Sequence, residues 1–512
     1  MARFLQPHVD RDATRAAITD ERGSTSWGDF NARVNQIIAA FRREGVAAGD
    51  VIAVFAGNCR EYYELMAAAN HSGVLYVPIN WHFTSDELDY VVNDSQAKLL
   101  FVEDRFAEVA EPVTSVPTIV IRGDAGGLPN YESWFGNESI NEPDDQAMGG
   151  PMFYTSGTTG RPKGVRSSGA SGPPPLEMLE MMANGMSGML SIPGDGNTFI
   201  CGPVYHSAQW AFSFLPLLAG SHVVMRHKFD AAEALSIIDQ ENITNVHLVP
   251  TQFSRMLKLD DATRAGFTGK TLQVVWHGAA PCPPEVKRCM IDWWGEVVSE
   301  YYGSTEGSIV SMCSAAEWLE RPGTVGKPSP TVEIRVVDEN GDALGANESG
   351  EIYVKNLMGT DFEYHNEPEK TKAVHLEPGV FTFGDIGYFD DDGYLYLSDR
   401  KIDMIISGGV NIYPAEIEGV LATHPAVSDV AVFGIPHEEF GEEVKAAVTL
   451  QAGQSGSPEL SEELIAFCRE QLAGYKAPKS IDYIDEMPRH ETGKLYKRLL
   501  KDKYWEGTGR TI

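Results

Sequence analysis

The sequence predicts an α/β protein: a large N-terminal domain of α/β sheets with a small β subdomain, then a compact α+β C-terminal domain. Three observations lead there. From Ser26 to Trp276 short apolar runs alternate with helix-periodic stretches, the pattern of parallel sheets with crossover helices. From Thr331 the pattern becomes strand–turn–strand. After Arg400 helix and strand signals are mixed within a short span.

The elements follow in order. Ser26 precedes Trp27, Phe30, Val34, Ile37, Ile38 and Phe41, with Gly45 beyond; this is an amphipathic helix with a side-chain N-cap and a terminal glycine. Val51–Phe55 reads as a strand, Arg60–Asn70 as a helix and Val74–Pro78 as a strand. Ser85 is expected to cap a helix over Asp86–Asn93, and Leu99–Val102 is the next strand. Buried strands are predicted at Thr198–Cys201, His222–Met225, Val246–Val249 and Leu272–Trp276, with helices at Ala231–Gln240, Gln252–Leu259 and Pro284–Trp293. Ser167–Pro175 is rich in Ser, Gly and Pro and reads as a loop. The run Met178, Met181, Met182, Met186, Met189 is expected to be mainly adaptable core, with a bulky apolar pocket as the other reading. Val332–Val337 and Glu351–Lys355 are antiparallel strands about a turn at Asp338–Gly341, and Asp391-Asp392-Gly393 is a further hairpin signal. The last unit has helices at Ala415–Leu421 and Ser461–Leu472 and strands at Val430–Phe433 and Val444–Leu450. The boundary is placed at 400/401, giving domains 1–400 and 401–512.

Over 512 residues, 73 Asp and Glu oppose 41 Lys and Arg, for a net charge of −32. That balance argues against nucleic acid or an anionic membrane as partner. It also requires that any polyphosphate site gather its cations locally. Six cysteines without a Cys-x-x-Cys fit a reducing, cytoplasmic setting. The first residues lack the apolar core of a signal peptide, and no transmembrane segment is expected. Peripheral membrane contact through a surface patch is left open.

The stretch richest in chemistry is Tyr154-Thr155-Ser156-Gly157-Thr158-Thr159-Gly160-Arg161-Pro162-Lys163-Gly164. Glycines let backbone approach a ligand, successive N–H groups can cradle phosphate oxygens, and Lys163 adds a charge. It is not a Walker loop: Pro162 stands where that motif has its second glycine, and no hydroxyl follows the lysine. Four further motifs accompany it. They are Tyr301-Tyr302-Gly303-Ser304-Thr305-Glu306-Gly307, Thr382-Phe383-Gly384-Asp385 with Asp399-Arg400, Arg400–Asp403 leading into Ser407-Gly408-Gly409, and Pro488–Leu495 around Thr492-Gly493-Lys494.

Together these motifs resemble the AMP-forming adenylating enzymes, in particular the fatty-acid and bile-acid-type acyl-CoA synthetases, over about Ser26 to Arg498. The resemblance implies roles. Thr155, Ser156, Gly157, Thr158, Thr159 and Lys163 would hold the phosphates of ATP. Tyr302 and Gly303, with Gly278 and Ala279, would flank adenine. Thr305 would contact the α-phosphate, and Glu306 would hold Mg²⁺. Asp385 and Arg400 would bind the ribose; Phe383 replaces the usual threonine beside Asp385. His206 would lie near the acyl carboxylate. Gly408 and Gly409 would lie beside CoA, and Lys494 would be the catalytic lysine. Ile402 would be the hinge of a mobile C-terminal domain, a position where relatives often carry Lys or Asp.

The reading is an ATP- and Mg²⁺-dependent enzyme that joins a carboxylic acid to AMP and then to CoA. The acid is expected to be a medium- or long-chain fatty acid or a bulky apolar one, from Val204, Trp210, Phe212, Phe214, Trp276 and the methionines. The alternatives are loading of a carrier-protein thiol, amino-acid adenylation and a non-catalytic nucleotide-binding regulator. A homodimer is expected only by analogy with relatives.

Overall fold

The computed structural model describes residues 3–124, 126–155, 162–168, 174–400, 403–407, 410–437, 440–489 and 495–506; side chains of 168, 399, 400 and 411 are excluded. Ser156, Gly157, Thr158, Thr159, Ile402, Gly408, Gly409 and Lys494 therefore lie outside the described residues.

Two sheets dominate the large N-terminal part. In one, Val51–Phe55, Leu75–Ile79, Ala97–Glu103, Thr118–Ile121 and Gly150–Pro151 are all parallel. Its strands are apolar on both faces because helices cover them; Val51–Phe55 is buried at every residue. In the other, Ala16–Asp20, His222–Met225, Asn197–Ile200, Asn245–Leu248, Val274–His277 and Val298–Ser304 run parallel in that spatial order.

The predicted β subdomain is not a separate sheet. Ser308–Cys313 folds back antiparallel on Val298–Ser304, Thr324–Pro328 pairs next to it, and Leu395–Arg400 pairs with Thr324–Pro328. The strands Val332–Val337, Gly350–Asn356 and Val380–Phe389 complete the same hydrogen-bonded ladder. Val310, Val325, Ile352, Phe381 and Leu395 form a common core across the junction. The parallel and antiparallel segments thus share one surface, and the phosphate hairpin sits against it.

That hairpin joins Phe153–Thr155 to Lys163–Ser168, with Thr155 opposite Lys163. A third strand, Asp361–Tyr364, pairs with Lys163–Ser168 from two hundred residues away. The expected loop over Ser167–Pro175 thus begins as strand at its first two residues, because this partner supplies hydrogen bonds that local sequence does not reveal.

Several boundaries shift for local reasons. The helix Ser85–Asp94 is capped by Thr84, not Ser85: Thr84 Oγ1 accepts from the Glu87 N–H, and Glu87 reaches back to the Thr84 N–H at 2.9 Å. A capping box needs Glu or Gln three residues on, and three residues after Ser85 stands Leu88. The helix predicted at Gln252–Leu259 is Pro250–Leu257, since proline suits the first helical position. The methionine helix Glu177–Met189 buries Leu179, Ala183 and Ser187 instead of its methionines; Met181 is 71% exposed. Met178, Met182 and Met186 line the cavity, while half-buried Met186 and Met189 also pack against the core, so the helix serves both expectations in part.

The small C-terminal part carries the sheet strands Ile405–Ser407, Val410–Ile412, Val427–His437, Gly441–Leu450 and Ser480–Tyr483. The helices Pro414–Leu421 and Pro458–Gln471 pack over it through Ile417, Leu421, Leu464 and Cys468. All six cysteines are free thiols. Among the described residues no helix is long and apolar enough to cross a membrane.

Candidate active site

One cavity of about 1490 Å³ runs from the phosphate hairpin to the methionine helix. Thr155, Lys163, Arg166, Thr305, Glu306 and Lys370 line its polar end; Met182, Met186, Trp210, Phe212, Leu215 and Ile309 line its apolar end. His206 and Ala279 also line it.

The turn that presents Thr305 and Glu306 is fixed by Ser304, whose Oγ accepts from the N–H groups of Glu306 (3.1 Å) and Gly307 (3.2 Å). Such a hydroxyl turn orders the loop without ligand. Thr305 Oγ1 lies 2.9 Å from Ser207 Oγ, linking the turn to the short helix Ser207–Ala211 that follows His206. The glycine at 303 is required sterically, since a Cβ there would fall 2.0 Å from the Ser308 carbonyl oxygen.

Tyr364 was not singled out in the sequence and is central here. Its hydroxyl donates to Glu306 Oε1 at 3.1 Å, and its ring lies 5.1 Å from Lys163 Nζ. One residue thus holds both the candidate metal ligand and the hairpin lysine. Burial, together with Glu306, pushes the Tyr364 phenol up, so it is a donor at any physiological pH. Burial and the nearby Lys370 lower Lys163, against Glu367 and Glu306. Tyr364 belongs to the strand that pairs with the hairpin, and no local periodicity marks it.

Tyr302 and Asp385 are brought together: Tyr302 Oη donates to Asp385 Oδ2 at 2.6 Å, and the Tyr302 ring meets Phe383 edge-on at 5.9 Å. Both are buried, at 8% and 9% exposure, directly behind the cavity wall formed by Gly303, Phe383 and Gly384. Strand register places Arg400 opposite Asp385.

His277 ends a buried strand, and Gly278-Ala279 follows. A Cβ at Gly278 would sit 2.6 Å from the Tyr301 ring, which is why only glycine fits. Ala279 has φ +64°, a left-handed conformation that costs a non-glycine residue about 1 kcal/mol. His206 is extended (φ −87°, ψ 135°), with its ring 4.4 Å from Tyr205.

The C-terminal part reaches the same cavity through Tyr496. Arg489 and Leu495, which flank the stretch containing Lys494, pair as an antiparallel bridge, and Tyr496 N–H donates to Pro488 O at 2.8 Å. Arg489 is anchored to Asp429 by two bonds of 2.6 and 2.8 Å.

Residues 5–359 match the family model of the AMP-binding enzymes, and residues 416–494 match that of the AMP-binding enzyme C-terminal domain. The chain belongs to the AMP-binding enzyme family. It is 31% identical to the fatty acid–[acyl-carrier-protein] ligase ScoC of Streptomyces coeruleorubidus, over 99% of this chain and 96% of that protein. It is 32% identical to a feruloyl-CoA synthase of an Amycolatopsis species, over 98% and 97%. Its fold matches the solved structure of the anthranilate CoA ligase AuaEII in complex with anthranoyl-AMP with a TM-score of 0.88, covering 99% and 98% of the chains at 23% identity. The protein is an AMP-forming acid–thiol ligase that uses ATP and Mg²⁺.

The donor set fits that cation. Among the described residues no cluster of three or more His, Cys, Asp or Glu side chains could hold a metal by itself. Glu306, a single carboxylate at the polar end of the cavity, suits a hard ion whose other ligands are phosphate oxygens and water.

Proposed function

We propose that this enzyme activates a bulky, largely apolar carboxylic acid as its acyl-AMP and transfers the acyl group to CoA. The observation that carries the reading is the polarity of this cavity. Lys163, Thr305 and Glu306 lie at one end, and Met182, Met186, Phe212 and Ile309 at the other. His206 and Ala279 belong to the same wall.

In the first half-reaction the substrate carboxylate attacks the α-phosphorus of ATP, and pyrophosphate leaves. Such displacement depends on positioning and charge neutralisation more than on covalent help. The hairpin and Lys163 would grip the phosphate tail, Thr305 would contact the α-phosphate, and Glu306 would hold Mg²⁺, which supplies charge neutralisation when bound. Asp385 and Arg400 would take the ribose. Tyr302, Gly303, Gly278 and Ala279 would bound adenine, with Tyr302 also orienting Asp385. Lys494 would reach the same phosphates beside Tyr496. In the second half-reaction the C-terminal domain, residues 401–512, would turn about Ile402, withdraw Lys494 and bring Gly408 and Gly409 beside CoA. Thiol attack on the mixed anhydride needs little acid–base assistance.

The two relatives differ in both acid and acceptor: the name of one specifies a fatty acid and a carrier protein, that of the other feruloyl and CoA. Carrier-protein loading is therefore the second reading. The setting is cytoplasmic, in keeping with the free cysteines. The test is pyrophosphate and AMP release over a panel of acids, with and without CoA. Formation of AMP and acyl-CoA is expected; formation of ADP, or no nucleotide turnover with any acid, overturns the reading. Lys494→Ala should lower acyl-AMP formation about 10²-fold or more, with far less effect on thioester formation from supplied acyl-AMP. Equal loss in both steps removes Lys494 from its role.

A further inference from the structure

The apolar end of the cavity contains a polar chain to which neither the motif resemblance nor the reaction gives a role. Gln209, His247 and Tyr301 all line it and are 3%, 2% and 6% exposed. Gln209 Nε2 lies 2.9 Å from His247 Nδ1, and His247 Nε2 lies 3.0 Å from Tyr301 Oη. Phe212 packs 4.6 Å from the imidazole and 5.1 Å from the phenol ring. Apolar neighbours including Leu190, Ile192 and Trp276 share the Tyr301 cluster.

The protons in this chain can be counted. Gln209 presents its amide nitrogen, which only donates, so His247 Nδ1 accepts. The imidazole is neutral, because burial pushes His247 down to about 3. Its one proton is then on Nε2 and is donated to the Tyr301 oxygen. The Tyr301 hydroxyl proton is left to point elsewhere, and among the described residues no other partner within hydrogen-bond distance is found for it. The side chains are packed from both sides. Gly202 gives the Gln209 side chain its room, since a Cβ there would lie 2.2 Å from Nε2, and the Gln209 backbone carbonyl, which accepts from Ser213 Oγ at 2.6 Å, fixes the main chain beneath it. Gly278 gives the phenol ring its room from the other side.

A buried donor without an acceptor is costly, and a hydrocarbon ligand that displaced water from it would leave that cost in place. From this geometry we infer that Tyr301 is a specificity residue, and that the preferred acid carries a hydrogen-bond acceptor, such as a keto or ether oxygen, on its apolar body. This inference rests on the ligase reading above and narrows the acid class from bulky and apolar to bulky, apolar and oxygenated. A plain saturated fatty acid would be a poorer substrate than its oxo counterpart of equal length.

The test compares matched acids in the pyrophosphate-release assay: cinnamate against its meta- and para-methoxy derivatives, and octanoate against the same chain with a ketone next to its terminal methyl. In the wild-type enzyme the oxygenated member of at least one pair should have a kcat/KM about five- to tenfold higher, the worth of one neutral hydrogen bond. Tyr301→Phe should bring that ratio to about one, and His247→Phe, which leaves Tyr301 without its partner, should also change it. Turnover of both members of every pair at equal efficiency in the wild type overturns the inference while leaving the ligase reading standing, as does a preference that survives Tyr301→Phe. Absence of turnover with every acid, in an enzyme that unfolds cooperatively, overturns both.

Discussion

The contact most open to a decisive test is the one Tyr364 makes. Tyr364→Phe removes the hydroxyl that donates to Glu306 Oε1 at 3.1 Å and keeps the ring 5.1 Å from Lys163 Nζ. A hydrogen bond to a charged group contributes about 1.5–3 kcal/mol. Both residues are half-buried, so solvent screening brings this to roughly 1–2 kcal/mol. If that energy keeps Glu306 aimed at the cation, its loss appears as a Mg²⁺ requirement raised roughly 5- to 30-fold. The assay is pyrophosphate release at saturating acid and fixed ATP over a Mg²⁺ titration. The KM for the acid should hold, since Tyr364 lies at the polar end. Tyr364→Leu, which also removes the ring, should in addition raise the KM for ATP by a few-fold through loss of the cation–π contact at Lys163. An unchanged Mg²⁺ dependence in Tyr364→Phe, or identical behaviour of Phe and Leu, would refute the argument that hydroxyl and ring serve different partners.

Gly278→Ala should cost about 1–3 kcal/mol of stability, because its Cβ would meet the Tyr301 ring at 2.6 Å and the Tyr301 carbonyl oxygen at 2.8 Å; an unaltered denaturant midpoint would contradict this. Asp385→Ala should raise the KM for ATP about tenfold or more while leaving that for CoA in place, and an unchanged ATP dependence would take Asp385 out of the ribose site. Acidification should destabilise the fold before most carboxylates titrate. Burial lowers His71 and His222 to about 4 and His247 to about 3, so below pH 6.5 the unfolded chain binds protons that the folded chain refuses, and stability falls as pH falls. Each histidine adds a slope of up to about 1.4 kcal/mol per pH unit, and Glu64, which burial holds up at about 7, offsets one of them over the same range, leaving the three histidines the larger sum. Denaturant unfolding between pH 7 and 5 should show it, and stability that is flat or rises on acidification would exclude it.

How far this molecule can be read from its sequence depends on the range of the interactions concerned. Val51–Phe55, His222–Met225 and Ala231–Gln240 were predicted with the boundaries observed, because each is bounded by its own turn and cap signals. The Tyr302–Glu306 turn was equally readable, since Ser304 builds it within four residues. Tyr364 was not, because its importance comes from pairing with a strand two hundred positions earlier. The methionine helix is only half readable, for a different reason. Periodicity shows which residues share a face but not what that face meets, and here the small residues Ala183 and Ser187 pack inward while Met178, Met182 and Met186 turn to the cavity. The Gln209–His247–Tyr301 chain lies between these cases: its residues were visible, but its proton order exists only in three dimensions.

The charge balance links these observations. A chain of net charge −32 opposes the approach of an anionic nucleotide at long range, and exposed charges are screened beyond about 8–10 Å in physiological salt. What decides binding is therefore the set of groups within a few ångströms of the phosphates. Lys163, Arg166 and Lys370 line one end of the cavity, with Lys370 also paired to Glu367. Two of these cations belong to one arm of the hairpin, Lys163–Ser168, and Lys370 to the helix that follows its pairing strand. The same pairing that stiffens the hairpin thus concentrates positive charge. A substitution that disrupted Asp361–Tyr364 would weaken nucleotide binding without touching any residue of the five motifs.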